Sequence, residues 1–98
     1  MVEQIIWSEK AAFERKEILA YWIARNKSNS YSLKLNILFS KTVQLIAEFP
    51  HLGMETDEPN VMVRVVKVYL VFYEVIDKKL FILTIWDGRR NPQKLRIR

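Results

Sequence analysis

The spacing of apolar residues changes after Phe49, and that change constrains the fold more than any other feature. From residue 9 to Phe49 the apolar residues recur every three or four positions, which is the period of an amphipathic helix. From Val61 onward they alternate or run without a break, as they do in β-strands. Helices followed by strands in this way are typical of an α+β domain.

Two helices are predicted in the first half of the chain. Ser8 can cap a helix over residues 9–26, because its hydroxyl can accept a hydrogen bond from a free backbone amide. A polar turn then leads into a second helix over residues 30–49, which Pro50 ends. The apolar face of this second helix is wide, so we expect it to pack on both the first helix and a sheet.

Four strands are expected, one before the helices and three after them. The predicted strands are residues 2–7, 61–66, 69–76 and 80–86. The third is apolar throughout except for Glu74, as expected of a central strand that is covered on both faces. The predicted order is β-α-α-β-β-β: a single α+β domain over residues 1–98, with an N-terminal helical hairpin packed on an antiparallel sheet.

The residue types that are missing exclude several kinds of chemistry. The 98 residues contain no Cys, which excludes disulfides, thiolate zinc sites and Cys nucleophiles and fits a reducing cytoplasm. The single His, His51, lies in a Pro-His-Leu-Gly turn and is interpreted as a solvated residue. We expect no metal and no cofactor. No apolar run approaches the length of a membrane span, and the N-terminus does not resemble a signal peptide.

Positive charge is concentrated at the C-terminal end of the sequence. The formal net charge is +5, and residues 89–98 hold five bases and no acid, so the preceding 88 residues sum to zero. Residues 91–98 are therefore predicted to form a basic tail. Two interpretations stay open: a solvated tail, or a contact surface for phosphates or for an acidic protein.

A set of basic residues is the best candidate site that the sequence offers. The candidate target-binding or phosphate-binding residues are Arg64, Lys67, Arg89, Arg90, Lys94, Arg96 and Arg98. An antiparallel meander can bring Arg64 and the 89–90 pair to one side of the sheet, where guanidinium groups can hold a phosphate through two hydrogen bonds. Alternatively these are ordinary surface arginines, some of them paired with Glu74 or Asp87.

Several segments, taken in order, carry a resemblance to a known family. They are a helix with Ala12, Leu19 and Trp22-Ile23, a second helix closing on Phe49-Pro50-His51-Leu52-Gly53, a strand with Arg64, the run from Tyr69 to Val75, and the end from Ile82 to Arg90. Together they resemble the RelE/ParE superfamily of type II toxin–antitoxin toxins over residues 2–92. The resemblance implies a small cytoplasmic toxin of a plasmid stabilisation system, held inactive by a cognate antitoxin.

The superfamily contains two mechanisms, and the sequence departs from one of them. RelE-like toxins cut mRNA on the ribosome and carry an Arg after the aromatic residue that opens the central strand, where this chain has Leu70 after Tyr69. No Tyr or His follows Trp86 to serve as an acid or base. We therefore favour ParE-like inhibition of DNA gyrase. The alternatives are a ribosome-dependent mRNA endoribonuclease, with Arg64, Arg89 and Arg90 as its catalytic candidates, or a non-toxic decayed family member.

The second helix also predicts where an antitoxin binds. Its wide apolar face suggests a surface that is incomplete without a covering chain. The residues predicted to contact the antitoxin are Leu35, Phe39, Val43 and Ile46. The partner is expected to be acidic and to form a tight hetero-oligomeric complex. Whether the chain is an enzyme is left open by the residues.

Overall fold

The predicted α+β class and the order of the main elements are confirmed by the computed structural model, which describes residues 2–98. Met1, part of the predicted domain, lies outside the described residues. The elements are β1 (Gln4–Trp7), α1 (Glu9–Asn26), α2 (Ser30–Glu48), β2 (Met54–Glu55), β3 (Met62–Val66), β4 (Tyr69–Ile76) and β5 (Lys79–Asp87). Short 3-10 turns at Pro50–Leu52 and Pro92–Lys94 follow α2 and β5.

The sheet has five strands in the order β1-β5-β4-β3-β2. Strands β2 to β5 pair antiparallel, whereas β1 joins β5 in parallel, with Gln4 opposite Lys79 and Trp7 opposite Ile82. The sheet is therefore mixed, which differs from the expectation of a wholly antiparallel one. The helical hairpin supplies the long crossover that a parallel pairing needs, because parallel neighbours cannot be joined by a tight turn.

One face of the sheet packs against the helices and holds the main core. The four α2 residues predicted to contact the antitoxin, Leu35, Phe39, Val43 and Ile46, are each at most 3% exposed and lie in this core. They pack with residues of β4 and β5 such as Tyr73 and Ile82. The prediction that they form a partner surface is therefore wrong. Their spacing places them on the side of α2 that faces the chain's own sheet, which buries them before any partner binds.

The opposite face of the sheet is covered by the C-terminal tail. Val61, Phe72, Leu83 and Trp86 form a second buried cluster, and Leu95 and Ile97 pack against it. Strand β4 is thus covered on both faces, as its apolar run predicted. The tail belongs to the folded domain and is not a free extension.

The start of α1 is tied directly to β5. The Ser8 hydroxyl oxygen accepts a hydrogen bond from the Ala11 backbone amide at 2.9 Å, which confirms the predicted cap. The same hydroxyl donates to the Leu83 carbonyl at 2.9 Å, just beyond the point where β1 ends. This anchor sets the position of α1 along the sheet, and with it the shape of the groove between α1 and the end of β5.

Candidate functional site

The basic residues that the sequence singled out lie in separate places. Arg64 lies on the helical side of β3, level with Val71 of β4 and Ile85 of β5, and its side chain donates to the Leu52 carbonyl at 3.3 Å. Arg89 lies beyond the end of β5, about 13 Å further along the strand direction and two strands away. Arg64 and Arg89 thus both lie on the helical side of the sheet, at separate positions along it. Each guanidinium has its own partner within the chain, the Leu52 carbonyl for Arg64 and the Asp87 carboxylate for Arg89.

The β3–β4 turn brings Lys67 closer to the end of β5. The Gly88 amide donates to the Val68 carbonyl at 2.8 Å, and Tyr69 lies opposite Asp87. Lys67, Arg89 and Arg90 thus share one end of the sheet. Lys94, Arg96 and Arg98 lie in the tail that covers the opposite face.

Asp87 holds Arg89 in a two-pronged ion pair. The Arg89 Nη2 and Nε atoms lie 2.7 Å and 3.0 Å from the two Asp87 carboxylate oxygens, and the Arg89 amide donates to the same carboxylate at 2.9 Å. These hydrogen bonds lower the pKa of Asp87 and raise the pKa of Arg89. The alternative interpretation, in which a surface arginine pairs with Asp87, holds for Arg89. The charge of Arg89 is therefore largely balanced within the chain.

A groove of about 450 Å³ lies between α1 and the end of β5, and we call it the Arg89 groove. Its lining includes Glu17, Tyr21, Tyr69, Arg89 and Arg90. The Tyr69 hydroxyl accepts a hydrogen bond from the Trp22 indole at 2.7 Å, and burial raises the pKa of Tyr69 above its ordinary value. Tyr69 is therefore a neutral hydroxyl near pH 7 and a poor general base.

Arg90 differs from its neighbour because no acid of residues 2–98 pairs with it. Its guanidinium carbon lies 4.6 Å from the centre of the Trp86 ring, a cation–π contact that holds the side chain against the sheet. Its charge stays available to an external anion. Of the two adjacent arginines, Arg90 is the better candidate for contact with a target.

The tail is held by polar contacts as well as by packing. Arg98 hydrogen-bonds to the buried carboxylate of Glu74 and lies 4.0 Å from that of Glu58, and the bond to Glu74 raises the pKa of Arg98. Lys10 of α1 donates to the Arg96 carbonyl at 2.7 Å. Within residues 2–98, Lys94 is left with no ion pair, and so is the Arg96 side chain.

The open edge of β5 is closed by contacts that sequence reasoning missed. Beyond Trp7, where β1 ends, the Glu14 carboxylate accepts hydrogen bonds from the Ile85 amide at 3.1 Å and the Thr84 hydroxyl at 2.7 Å. Lys10 donates to both Glu14 and Thr84. The spacing of Lys10 and Glu14 marks a helix-surface pair, but nothing in the sequence linked that pair to a strand about 70 residues away.

The chemistry required for RNA cleavage is poorly represented around Arg64. The nearest phenol, Tyr73, donates to the Pro50 carbonyl at 2.8 Å and accepts from the Gly53 amide at 3.0 Å, and burial raises the pKa of Tyr73. The proton and one acceptor position of that hydroxyl are thus engaged by the backbone. His51 is exposed in the turn after α2. Across residues 2–98 no group of three His, Asp or Glu side chains is placed to hold a metal ion.

A helix has to be both long and apolar to cross a membrane. Of the helices within residues 2–98, none combines the length and the apolar character required to cross a membrane.

Comparison with known proteins agrees with this geometry. The family described as the ParE toxin of the type II toxin–antitoxin system, parDE, matches residues 5–92. A solved structure, the chromosomal ParDE toxin–antitoxin system from P. aeruginosa, matches with a TM-score of 0.75 and 19% sequence identity, covering 87% of this chain and 94% of that chain. No curated protein matches the sequence. On the family match, which spans nearly the whole chain, this protein belongs to the ParE toxin family and is a type II toxin.

Proposed function

We propose that this toxin acts in the cytoplasm by binding DNA gyrase, and that it does not cut RNA. The observation that carries the proposal is the separation of the basic side chains. Arg64 is hydrogen-bonded to Leu52, and Arg89 is paired with Asp87 at a different part of the sheet. Hydrolysis of RNA through the 2′-hydroxyl requires a base, an acid and a cation around one phosphate. A toxin that works by binding has no such requirement.

The proposed contact with gyrase and its bound DNA is a patch made of Arg90, Lys94 and Arg96, which we call the Arg90 patch. All three residues are exposed, and no acid of residues 2–98 forms an ion pair with them. The packing of Leu95 and Ile97 against the sheet keeps Lys94 and Arg96 close to the domain, and the Trp86 contact does the same for Arg90. A fixed array of free cations suits an anionic surface, whether phosphate or carboxylate.

The test measures the two activities side by side with the purified toxin. We expect inhibition of gyrase supercoiling and accumulation of cleaved DNA, with no cleavage of mRNA in a stalled ribosome. The triple variant Arg90→Gln, Lys94→Gln, Arg96→Gln should need about tenfold more protein for the same inhibition. If the patch touches DNA phosphates, the slope of the salt dependence of binding should fall by about 0.9 for each phosphate interaction that the variant removes.

Two results would contradict the proposal in different ways. Codon-specific mRNA cleavage that disappears in Arg64→Ala would establish the nuclease mechanism instead. Normal growth on induced expression, with neither activity present, would identify a decayed toxin. The control variant Lys16→Gln, Lys27→Gln, Lys79→Gln removes the same charge from exposed positions outside the Arg90 patch and should inhibit gyrase normally.

The proposal includes an acidic antitoxin as the resident partner. The formal net charge of +5 favours association with an acidic chain. Because Leu35, Phe39, Val43 and Ile46 are buried, the antitoxin has to bind elsewhere on the toxin.

A further inference from the structure

The Arg89 groove contains two charged groups that the domain leaves unpaired. Two of its three acids are engaged, because Glu14 is hydrogen-bonded to β5 and Asp87 is paired with Arg89. Within residues 2–98 the other two charged residues of the lining, Glu17 and Arg90, form no ion pair. A ligand that carries both hydrogen-bond donors and an anionic group would therefore match the free carboxylate and the free guanidinium.

The lining of the groove also holds hydrogen-bond donors that lack an acceptor. Tyr69 is 2% exposed and its hydroxyl accepts from Trp22, but its own proton has no acceptor within residues 2–98. Arg89 bonds to Asp87 through Nε and Nη2, which leaves Nη1 without an acceptor in the same part of the chain. Buried polar groups usually have their hydrogen-bonding capacity satisfied. An oxygen atom of a ligand in the groove would satisfy Tyr69.

One wall of the groove is an aromatic ring that is open to solvent. Tyr21 is 50% exposed on α1 and lines the groove. Its ring meets the Trp22 ring at 85°, with the ring centres 5.1 Å apart, and this contact orients it. Proteins that bind single-stranded nucleic acids use aromatic rings of this kind to stack bases and nearby cations to hold the backbone.

We propose that the Arg89 groove binds an unpaired nucleotide of the DNA on which gyrase acts, a proposal that rests on the gyrase target proposed above. The base would stack on Tyr21, an amino group of the base would donate to Glu17, and the phosphate would accept from Arg90. The Tyr69 hydroxyl would donate to an oxygen of the base or sugar. The groove volume of about 450 Å³ lies within the range of roughly 300–1,000 Å³ that small-ligand sites occupy.

Paired DNA and acidic peptides fit the groove less well. The bases of a duplex are stacked on one another, so their faces cannot lie against Tyr21 unless a base leaves the stack. An acidic peptide would bring carboxylates toward Glu17, which has no cation beside it to balance them within residues 2–98. A nucleotide carries N–H donors and an anion in one molecule, so each free charge of the groove meets an opposite partner.

The first test measures how fluorescent single-stranded oligonucleotides bind to the purified toxin by anisotropy, without gyrase. We expect oligo(dC) to bind, and Tyr21→Leu to weaken that binding at least about fivefold, because a stacked base loses its aromatic partner. The control Phe13→Leu removes an aromatic ring that is 60% exposed on the same helix outside the groove, and it should stay within about twofold of wild type. Both replaced side chains are exposed, so both variants should fold as wild type does.

Glu17 predicts which bases bind more tightly. Cytosine has an amino group that can donate to a carboxylate, whereas thymine has none. Oligo(dC) should therefore bind about threefold or more tightly than oligo(dT), and Glu17→Gln should reduce that preference. Glu9→Gln makes the same change at an exposed position of α1 outside the groove and should keep the preference.

Arg90 predicts how binding depends on salt. Arg90→Gln should weaken the binding of oligo(dC) and of oligo(dT) alike, since both carry the same phosphates. The slope of the salt dependence should fall by about 0.7, the value for one phosphate interaction with a single strand.

Four results would overturn the assignment. They are an affinity for oligo(dC) that Tyr21→Leu leaves unchanged, no binding of oligo(dC) by wild type, binding of dCMP as tight as that of oligo(dC), and tighter binding of oligo(rC). The third would make a free nucleotide the ligand of the groove, and the fourth would make RNA the ligand.

Gyrase inhibition, measured separately, distinguishes this proposal from the one on which it rests. Tyr21→Leu should need about fivefold more toxin than wild type for the same inhibition, and Phe13→Leu should not. If wild type binds oligo(dC) through Tyr21 but does not inhibit gyrase, the proposed target is wrong and the nucleotide site stands. If wild type inhibits gyrase and Tyr21→Leu does so equally well, the target stands and the role of the groove is wrong.

Discussion

Removing the apolar contacts of the C-terminal tail should destabilise the whole domain. Leu95 and Ile97 are half-buried against the cluster that contains Phe72 and Trp86. Truncating a fully buried Leu or Ile to Ala costs about 2–5 kcal/mol. Because these two side chains are only half-buried, we expect about 1–2 kcal/mol for each. For a domain of this size the double variant Leu95→Ala, Ile97→Ala should melt on the order of 10–20 °C lower.

The matched perturbation changes the charges of the same segment and leaves its packing alone. In Lys94→Gln, Arg96→Gln both replaced side chains are exposed and free of ion pairs with residues 2–98, so the stability should stay within about 0.5 kcal/mol of wild type. Urea unfolding followed by tryptophan fluorescence suits both variants, because Trp86 lies in the affected cluster. Equal midpoints for the apolar variant and wild type would refute the assignment of the tail to the core. A large destabilisation in the charge variant would show that polar contacts of Lys94 or Arg96 hold the tail.

Two further predictions concern α2 and the Asp87 pair. Phe39→Ala should lower the free energy of unfolding in urea by about 3–5 kcal/mol, because Phe39 is fully buried. Ile37→Ala should lower it by under about 1 kcal/mol, because Ile37 is half exposed. Equal losses would contradict the orientation of α2 that turns Phe39 toward the sheet. Asp87 has a lowered pKa in the folded state, so its contribution to stability is complete above its ordinary pKa and disappears as the pH falls through the folded value. Asp87→Asn should therefore be less stable than wild type at pH 7, and the difference should shrink as the pH falls below the ordinary value of 3.8, measured by thermal unfolding. A difference independent of pH would contradict the ion pair.

The sequence predicted the elements well because their signals are local. The change of apolar period, the Ser8 cap and the Pro50 stop each depend on residues within a few positions of one another. The pairing of β1 with β5 joins residues about 75 positions apart, and nothing in a β1 of four residues specifies its neighbour or its direction. The local sequence pattern therefore could not predict that β1 is an edge strand parallel to β5.

The orientation of α2 shows a second limit of the same kind. Its apolar residues form two adjoining stripes, and period alone does not say which stripe meets the sheet and which meets solvent. The residues assigned to the antitoxin were apolar and regularly spaced, as predicted, but the domain uses them for its own core. In the same segment, the absence of acids before the end of α2 is a clearer sign of a positively charged surface. That absence leaves Lys34 and Lys41 unbalanced.

The position of the positive charges in the sequence and the position of the unpaired charges in the folded domain indicate different binding surfaces. By sequence the whole excess of five lies in the last ten residues. In the folded domain Arg89 and Arg98 are paired with Asp87 and Glu74, so two of those five cations are largely neutralised internally. Those acids are then no longer free to balance Lys34, Lys41 and Lys67. Because the potential at a surface depends on which charges are paired nearby, the unpaired Lys34, Lys41 and Lys67 carry a larger share of the free positive charge than the sequence count suggests. An acidic partner is therefore not attracted to the tail alone, because free cations on α2 and on the β3–β4 turn attract it as well.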